Sequence, residues 1–515
     1  AILDRQFPAI LFPRTVNEYG ELGVMYPYMF LVFPAVLRIC RVSLLTAYDV
    51  TIFCTAAAVV SVMYYALRTL QVSSLSAALS ATLYLLSPSF VHAETDNGAV
   101  LGNGISYIFI PLVIAGLLHL LQGNGNRWPL LTIGFTGLLQ SHLVTTLLVL
   151  VCAVLLLCIL IPVQLSRGRG RAVTDCIPDF LKAGIWCLLI NIWWIVPFLY
   201  YYKNGNLYLG ALGEGFWTFD LPSFISYESG QYAIILCIWL IVMIAIAFSS
   251  KKISENVYFA AALFLVGLVL VAACTMIFPW DMLRRLYFFR FFSNTMQFPY
   301  RFFFAAFAFL IFGIGMLADR IRMWLEKKQK FLPYCIAMLF ILLPVLLYDN
   351  HIMKEYSSPD RISYTVITGD IAPYKQREYL PLGTEDEYFS GRDYRLSDEN
   401  AVRITDYQKR GDKADFVYYY IEGNERKEEY IELPLFLYPG YQIRLSEGAV
   451  TLPTESGKEN HMRIYLPFSK TEKKVEVFFT VNPVFTFLTV FSALAFAAML
   501  FCIKSDREIV KEEKE

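Results

Sequence analysis

Long stretches without charge alternate along the chain with short charged clusters. Apolar runs cover about 45–69, 74–88, 104–122, 129–141, 143–163, 180–200, 230–249, 256–275, 301–318, 331–348 and 481–503. A helix needs ~20 mostly apolar residues to cross the hydrocarbon core of a bilayer, and most of these runs supply them. Two of them, 74–88 and 129–141, fall short and read as half-spans or tilted packing helices. The stretch 349–480 has a different rhythm. Polar and apolar residues alternate in DFVYYYIEG, EEYIELPLFLY, HMRIYLPF and KKVEVFFTV, with turn residues between them, which predicts a small β-sandwich. The pattern therefore predicts a polytopic α-helical membrane protein of about eleven spans with a β-sandwich-like domain near its C-terminus.

Lys and Arg in short loops prefer the cytoplasmic side of a membrane. The clearest basic loops are SRGRGR (166–171), KK (251–252) and DRIRMWLEKKQK (319–330). Placing all three inside puts 203–229, 276–300 and 349–480 outside. Residues 1–44 become an external segment whose aromatics and prolines suit helices lying along the interface. The multi-span region is then 45–348, the extracytoplasmic β-rich domain 349–480, the returning helix 481–503 and the cytoplasmic tail 504–515. Counting spans backwards leaves residue 1 outside, yet the chain opens AILDRQ with no methionine or signal segment. The expectation is at least one further transmembrane helix ahead of residue 1.

Composition agrees with this picture and narrows the chemistry. Of 515 residues 57% are hydrophobic, against about 45–50% in soluble proteins. The formal net charge of +0 gives no reason to expect a nucleic-acid partner. Ten cysteines lie in or beside apolar runs and none falls in 349–480, so neither a disulfide framework nor a CxxC metal site is indicated. The five histidines are scattered, without an HExxH or Walker motif.

Candidate chemistry gathers on the side assigned as external. SPSFVHAETDNGAVLGNG (87–104) carries Glu94, Asp96 and Asn103. FPWDMLRRLYFFRFFSNTMQFPYR (278–301) carries Asp281, Arg284, Arg285, Arg290, Gln297, Tyr300 and Arg301. Four arginines there run against the positive-inside tendency. They are either snorkelling side chains of an interfacial helix or a phosphate site, since guanidinium pairs bidentately with phosphate oxygens. Arg301, behind a proline at a helix start, is the foremost phosphate candidate. Glu94 and Asp96 are either solvated loop acids or a metal or general-base pair. Asp281 is expected to pair with a neighbouring arginine, and Asp49 to cap or pair locally. His142, in GLLQSHLVTT, is either a buried histidine bonded to a backbone carbonyl or part of an external polar site. Arg167, Arg169 and Arg171 read as topology signals.

An ordered series of motifs resembles the bacterial YfhO-type membrane proteins and the kindred "6-pyruvoyl-tetrahydropterin synthase-related" membrane proteins, a label that implies no pterin chemistry. The series is QFPAI, NEYGELGVMYPYMFLVFPAVLR, LYLLSPSFV, LLQSHLVTTLL, WWIVPFLYY, FPWD and QFPYRF, then REYLP (377–381) and LPLFLYPGYQIR (433–444). That family is similar to GT-C glycosyltransferases, which take a sugar from a polyprenyl-phosphate donor at the outer face of a membrane. The resemblance implies an inverting transfer to an envelope polymer or glycolipid in the bacterial plasma membrane. It also implies an acidic catalytic residue in a first external loop upstream of residue 1, so Asp4 is not given that role. Where the family carries an acid in the loop after LSP, this chain has LGNG with Asn103, and Glu94 and Asp96 are the substitutes at hand. Arg301 would bind the leaving phosphate, supported by Gln297, Arg290, Tyr300, Arg285 and His142, with a divalent metal as an optional cofactor. The competing expectation is a non-catalytic scaffold or a lipid or polysaccharide transporter. Interior carboxylates and paired broken helices would favour transport.

Overall fold

The structure, a computed structural model, describes residues 7–12, 19–95, 101–208, 216–249, 253–326, 379–384, 393–422, 429–445, 451–457 and 460–512. The chain divides into two compact units. One comprises Pro27–Leu189, Leu212–Ser363 and Phe496–Glu515; the other comprises Ala1–Tyr26, Ile190–Ala211 and Tyr364–Ala495.

The helical elements in chain order are α1 (Val32–Ile39), α2 (Leu44–Thr69), α3 (Ser74–Leu85), α4 (Pro88–Thr95), α5 (Leu101–Ser106), α6 (Ile110–Leu121), α7 (Trp128–Leu139) and α8 (Leu143–Ser166). Then come α9 (Gly170–Asn204), α10 (Leu221–Ser226), α11 (Glu228–Phe248), α12 (Glu255–Ala273), α13 (Trp280–Leu283), α14 (Tyr287–Met296), α15 (Tyr300–Glu326) and α16 (Pro483–Glu512). Among the described residues, eight segments are long and apolar enough to cross a membrane: Leu44–Thr69, Leu101–Leu121, Leu143–Ser166, Gly170–Asn204, Glu228–Phe248, Glu255–Ala273, Tyr300–Asp319 and Pro483–Lys504. The chain is thus mostly helical and multi-pass by these helices, with an all-β region towards its C-terminus. The short runs at 74–88 and 129–141 form helices of 12 residues each, and the run at 331–348 lies outside the described residues.

One corner device is used twice. α1 ends in LRICRVS and α2 in LRTLQVS. In each, a left-handed residue (Arg41 at φ 66°, Gln71 at φ 64°) stops the helix. In each, an arginine Nη1 then donates to the carbonyl beyond the turn, Arg38 to Val42 at 2.6 Å and Arg68 to Val72 at 2.5 Å. The following serine caps the next helix: Ser43 accepts from the Thr46 amide at 3.1 Å and Ser73 from the Ser76 amide at 3.4 Å. Side-chain caps of this kind satisfy backbone groups that a helix end leaves open. Asp49 takes no part in capping α2, contrary to expectation; the cap is Ser43, and Asp49 lies exposed in the second turn.

α15 is the central helix. Every residue from Phe302 to Ala318 is buried, as befits a helix apolar on all sides, and α12, α11, α3 and α8 pack around it. The helix directions define two ends of this unit. At one end, Thr69 of α2 meets His119 of α6 at 3.0 Å, and Gln164 of α8 donates to the Leu121 carbonyl at 3.2 Å. Glu255 at the start of α12 accepts from Gln164 at 2.7 Å and pairs with Arg169. Asp506 of α16 there accepts from the Trp128 indole at 2.9 Å and from Lys182 at 2.7 Å. All three described arginines of SRGRGR follow this end of α8. The opposite end, called the first end below, holds the N-termini of α2, α8 and α15 and the C-terminus of α12, where the Cys274 thiol donates to the Pro299 carbonyl at 3.2 Å.

Glycines let α6 and α7 run against each other at backbone distance. A Cβ on Gly116 would stand 2.9 Å from the Leu131 amide, and one on Gly137 would stand 2.2 Å from the Phe109 ring. Small residues at helix contacts serve the same purpose in membrane proteins generally.

Among the described residues, the second unit holds two four-stranded antiparallel sheets built from β1 (Arg395–Leu396), β2 (Val402–Arg410), β3 (Lys413–Tyr420), β4 (Glu429–Phe436), β5 (Tyr441–Leu445), β6 (Thr454–Ser456), β7 (His461–Leu466) and β8 (Lys473–Phe479). Their orders are β1-β4-β7-β6 and β2-β3-β8-β5. Inward residues alternate with outward ones along β3 and β8, and the Tyr420 hydroxyl ties the sheets by donating to the Leu466 carbonyl at 2.7 Å. The two-sheet arrangement agrees with the alternation in the sequence.

Candidate functional site

The polar residues of the first end are set by two corners. At the α14–α15 corner, α14 stops because Gln297 adopts φ 61° and ψ −50°, a conformation costly for a residue with a Cβ. Pro299, which has no amide hydrogen to donate, fits just ahead of the first turn of α15. The Arg301 guanidinium folds back over the corner. Its Nη1 lies 3.2 Å from the Thr295 carbonyl, 3.1 Å from that of Met296 and 3.0 Å from Gln297 Oε1. A cation thereby meets the open carbonyls of a helix C-terminus. The same guanidinium stands 5.1 Å from the centre of the Phe298 ring, within cation–π range.

At the α7–α8 corner, His142 is the N-cap of α8. Its Nδ1 accepts the Thr145 amide at 3.2 Å and lies 2.8 Å from Thr145 Oγ1. An acceptor at Nδ1 assigns the neutral tautomer with the proton on Nε2. Burial, and then the charge of Arg301, push the His142 pKa down to about 3. The charge of Arg301 is therefore felt at His142, although the two lie 159 positions apart in sequence. Thr145 Oγ1 donates to Asn103 Oδ1 at 3.0 Å, which brings α5 into the cluster. Only glycine fits at position 102, because a Cβ would stand 2.4 Å from the Ser141 carbonyl oxygen.

Asn103, Thr145 and His142 thus form one buried hydrogen-bonded group from α5 and α8, and Arg301 with Gln297 forms a half-buried pair at the approach to α15 whose charge acts on His142. Together they contain a fixed cation and neutral hydrogen-bonding groups, which suits an anion more than a metal ion. Among the described residues, no three His, Cys, Asp or Glu side chains converge to hold a metal. His142 is buried, as one of the two readings from sequence had it, and its Nδ1 is bonded to Thr145.

The other sequence candidates lie elsewhere. Arg285 and Arg290 remain on the exposed surface of α13–α14, with Arg290 6.0 Å from the Tyr287 ring centre. Arg284 turns inward and donates to Asn294 Oδ1 at 3.0 Å, while Asp281 is exposed and forms no ion pair among the described residues. The expected pairing of Asp281 with an arginine is replaced by this amide contact. Tyr300 stacks on Phe298 with ring centres 5.2 Å apart. Glu94 lies in the last turn of α4, its side chain outside the described residues, as are Asp96 and Asp4. Thr145 was missed from sequence; the signal available was a histidine three residues ahead of a threonine at the start of an apolar run.

Compared with models of known protein families, with characterised proteins and with solved structures, the chain matches none.

Proposed function

We propose that this chain is a GT-C-type membrane glycosyltransferase that moves a sugar from a polyprenyl-phosphate donor to an envelope polymer or glycolipid. The observation that carries the reading is the placement of Arg301: a fixed guanidinium at the tip of the central helix, beside a neutral histidine. A lipid-phosphate sugar needs its tail in the bilayer and its phosphate at the interface, which is where the end of a membrane helix lies. The motif series in the sequence supports the same reading, as does the concentration of basic loops at the opposite end, which makes the first end external in the bacterial plasma membrane. In this reading the β-rich domain is extracytoplasmic, and this chain makes about eleven passes.

The acceptor hydroxyl oxygen attacks the anomeric carbon, and the bond from that carbon to the phosphate oxygen breaks with inversion. The hydroxyl proton passes to a carboxylate, for which Glu94 and Asp96, ahead of α5 in sequence, are the candidates this chain offers. Polyprenyl phosphate departs with the bonding electrons. Arg301 stabilises the charge that grows on the leaving phosphate, Gln297 holds the guanidinium, and His142 and Asn103 orient polar groups of the donor. Arg290, Arg285 and Tyr300 face the lipid headgroup region.

A second reading, a non-catalytic scaffold or transporter, draws on one specific observation. The Nη1 contacts of Arg301 cap α14 and would be made by a purely structural arginine. Transfer of radiolabelled sugar from a polyprenyl-phosphate donor, assayed in proteoliposomes with the full chain and envelope extract, separates the two. Arg301→Gln abolishes transfer while the protein stays folded if the enzyme reading holds. Unchanged transfer by that variant sinks it.

A further inference from the structure

Two short helices at the first end are exposed along apolar stripes. α1 leads through its left-handed corner into the spanning helix α2, and α14 leads through Gln297 into the spanning helix α15. On α1, Val32, Phe33, Val36 and Ile39 are all exposed, Ile39 to 52%. On α14, Phe292, Ser293 and Met296 pack inward, while Tyr287 (76% exposed), Phe288 and Phe291 point away from the bundle. Apolar stripes this dense are not kept against water. Both helices are too short to span, at eight and ten residues.

Their charges are one-sided. Arg38 and Arg41 flank the outer end of α1, and Arg285 and Arg290 flank and punctuate α14; all four are exposed. In the described stretches 29–43 and 276–299 the sole acidic residue is Asp281. An apolar stripe bordered by arginines is what an interfacial helix presents to headgroups, with guanidinium paired to phosphate.

We propose that α1 and α14 seat the first end in a leaflet surface rich in anionic phospholipid, with Arg38, Arg41, Arg285 and Arg290 against the lipid phosphates. The occupant is bulk anionic lipid rather than a bound substrate, so this surface is independent of the transferase reading and survives its failure. The leaflet sets the depth at which Arg301, at the start of α15, meets the interface.

The test uses the full chain in nanodiscs of mixed phosphatidylcholine and phosphatidylglycerol, with the lipid retained on gentle detergent extraction measured by mass spectrometry. Wild-type protein is expected to retain phosphatidylglycerol above its bulk share. Removing charge should lower that preference by up to about five-fold per arginine at low salt, in Arg38→Gln/Arg41→Gln and separately in Arg285→Gln/Arg290→Gln. The matching lysine variants keep the preference, and added salt weakens it. A photo-crosslinking residue placed at Phe33 or Phe288 should label lipid, whereas one at Lys413 on β3 should not. No enrichment in the wild type, or equal enrichment in all folded glutamine variants, overturns the proposal. If a glutamine pair fails to fold, lipid labelling at Phe33 and Phe288 in the wild-type chain decides: labelling supports the proposal, and its absence at both overturns it.

Discussion

Arg301 Nη1 lies 3.0 Å from Gln297 Oε1, and Gln297 is the left-handed residue at which α14 ends and the approach to α15 begins. The bond joins the strained residue to the side chain that caps the helix before it. Gln297→Ala removes the bond and keeps the strain, at an expected cost of about 1 kcal/mol. Gln297→Gly removes both, and should be more stable than the alanine variant by about 1 kcal/mol. Thermal unfolding of the two variants in one detergent checks this; equal midpoints contradict it.

His142 supplies a pH dependence. Its folded pKa of about 3 lies below the ordinary 6.5, so the native state holds it neutral while the unfolded chain takes up a proton. The resulting stability is fully present above about pH 6.5 and is lost progressively as pH falls towards 3. His142→Asn replaces the Nδ1 cap acceptor with an amide oxygen that can cap α8 but does not titrate. Its unfolding midpoint should fall less steeply than the wild-type midpoint between pH 6.5 and 4. Parallel curves would remove His142 as the source.

The α6–α7 contact depends on absent side chains. Gly116→Ala sets a Cβ 2.9 Å from the Leu131 backbone amide and should cost about 1–3 kcal/mol. Gly184 of α9 is the control, since beyond its chain neighbours and its own helix backbone no atom lies within 4 Å of a Cβ there. Gly184→Ala should be neutral or stabilise by about 0.5–1 kcal/mol. Equal effects of the two substitutions on unfolding would contradict the close contact.

Asp506 joins α16 to α7 and α9 through the Trp128 indole and Lys182. Asp506→Asn keeps an acceptor for Trp128 and loses the ion pair, a change of about 0–1 kcal/mol for a partly exposed pair. Asp506→Ala also leaves the indole without its acceptor, and should cost about 1–3 kcal/mol. Limited proteolysis of the tail reads the same difference as faster cleavage in the alanine variant.

The membrane helices were legible because an apolar run and a span are set by the same requirement, burial of about 20 residues in hydrocarbon. α9 shows the limit of that signal. It starts at Gly170, ten residues before the apolar run, because a helix continues through Arg171, Asp175 and Asp179 once it leaves the constraint of the bilayer. The stretch 87–104 reads as a loop yet holds α4 and the start of α5, while 278–300, for which an interfacial helix was one reading, holds α13 and α14; these helices are too short to carry a clear period. Asn103, His142, Gln297 and Arg301 were each visible as chemical types. Their convergence was not, because it depends on how α5, α8 and α15 pack, and no local pattern encodes contacts across such separations.

Binding of polyprenyl monophosphate to the purified full chain in nanodiscs, with unfolding measured alongside, tests the central claim most directly. The account predicts saturable binding that Arg301→Gln weakens about ten-fold or more, as loss of a charge-assisted hydrogen bond implies, while the variant remains folded. A folded Arg301→Gln protein that binds the lipid phosphate as tightly as wild type would contradict it.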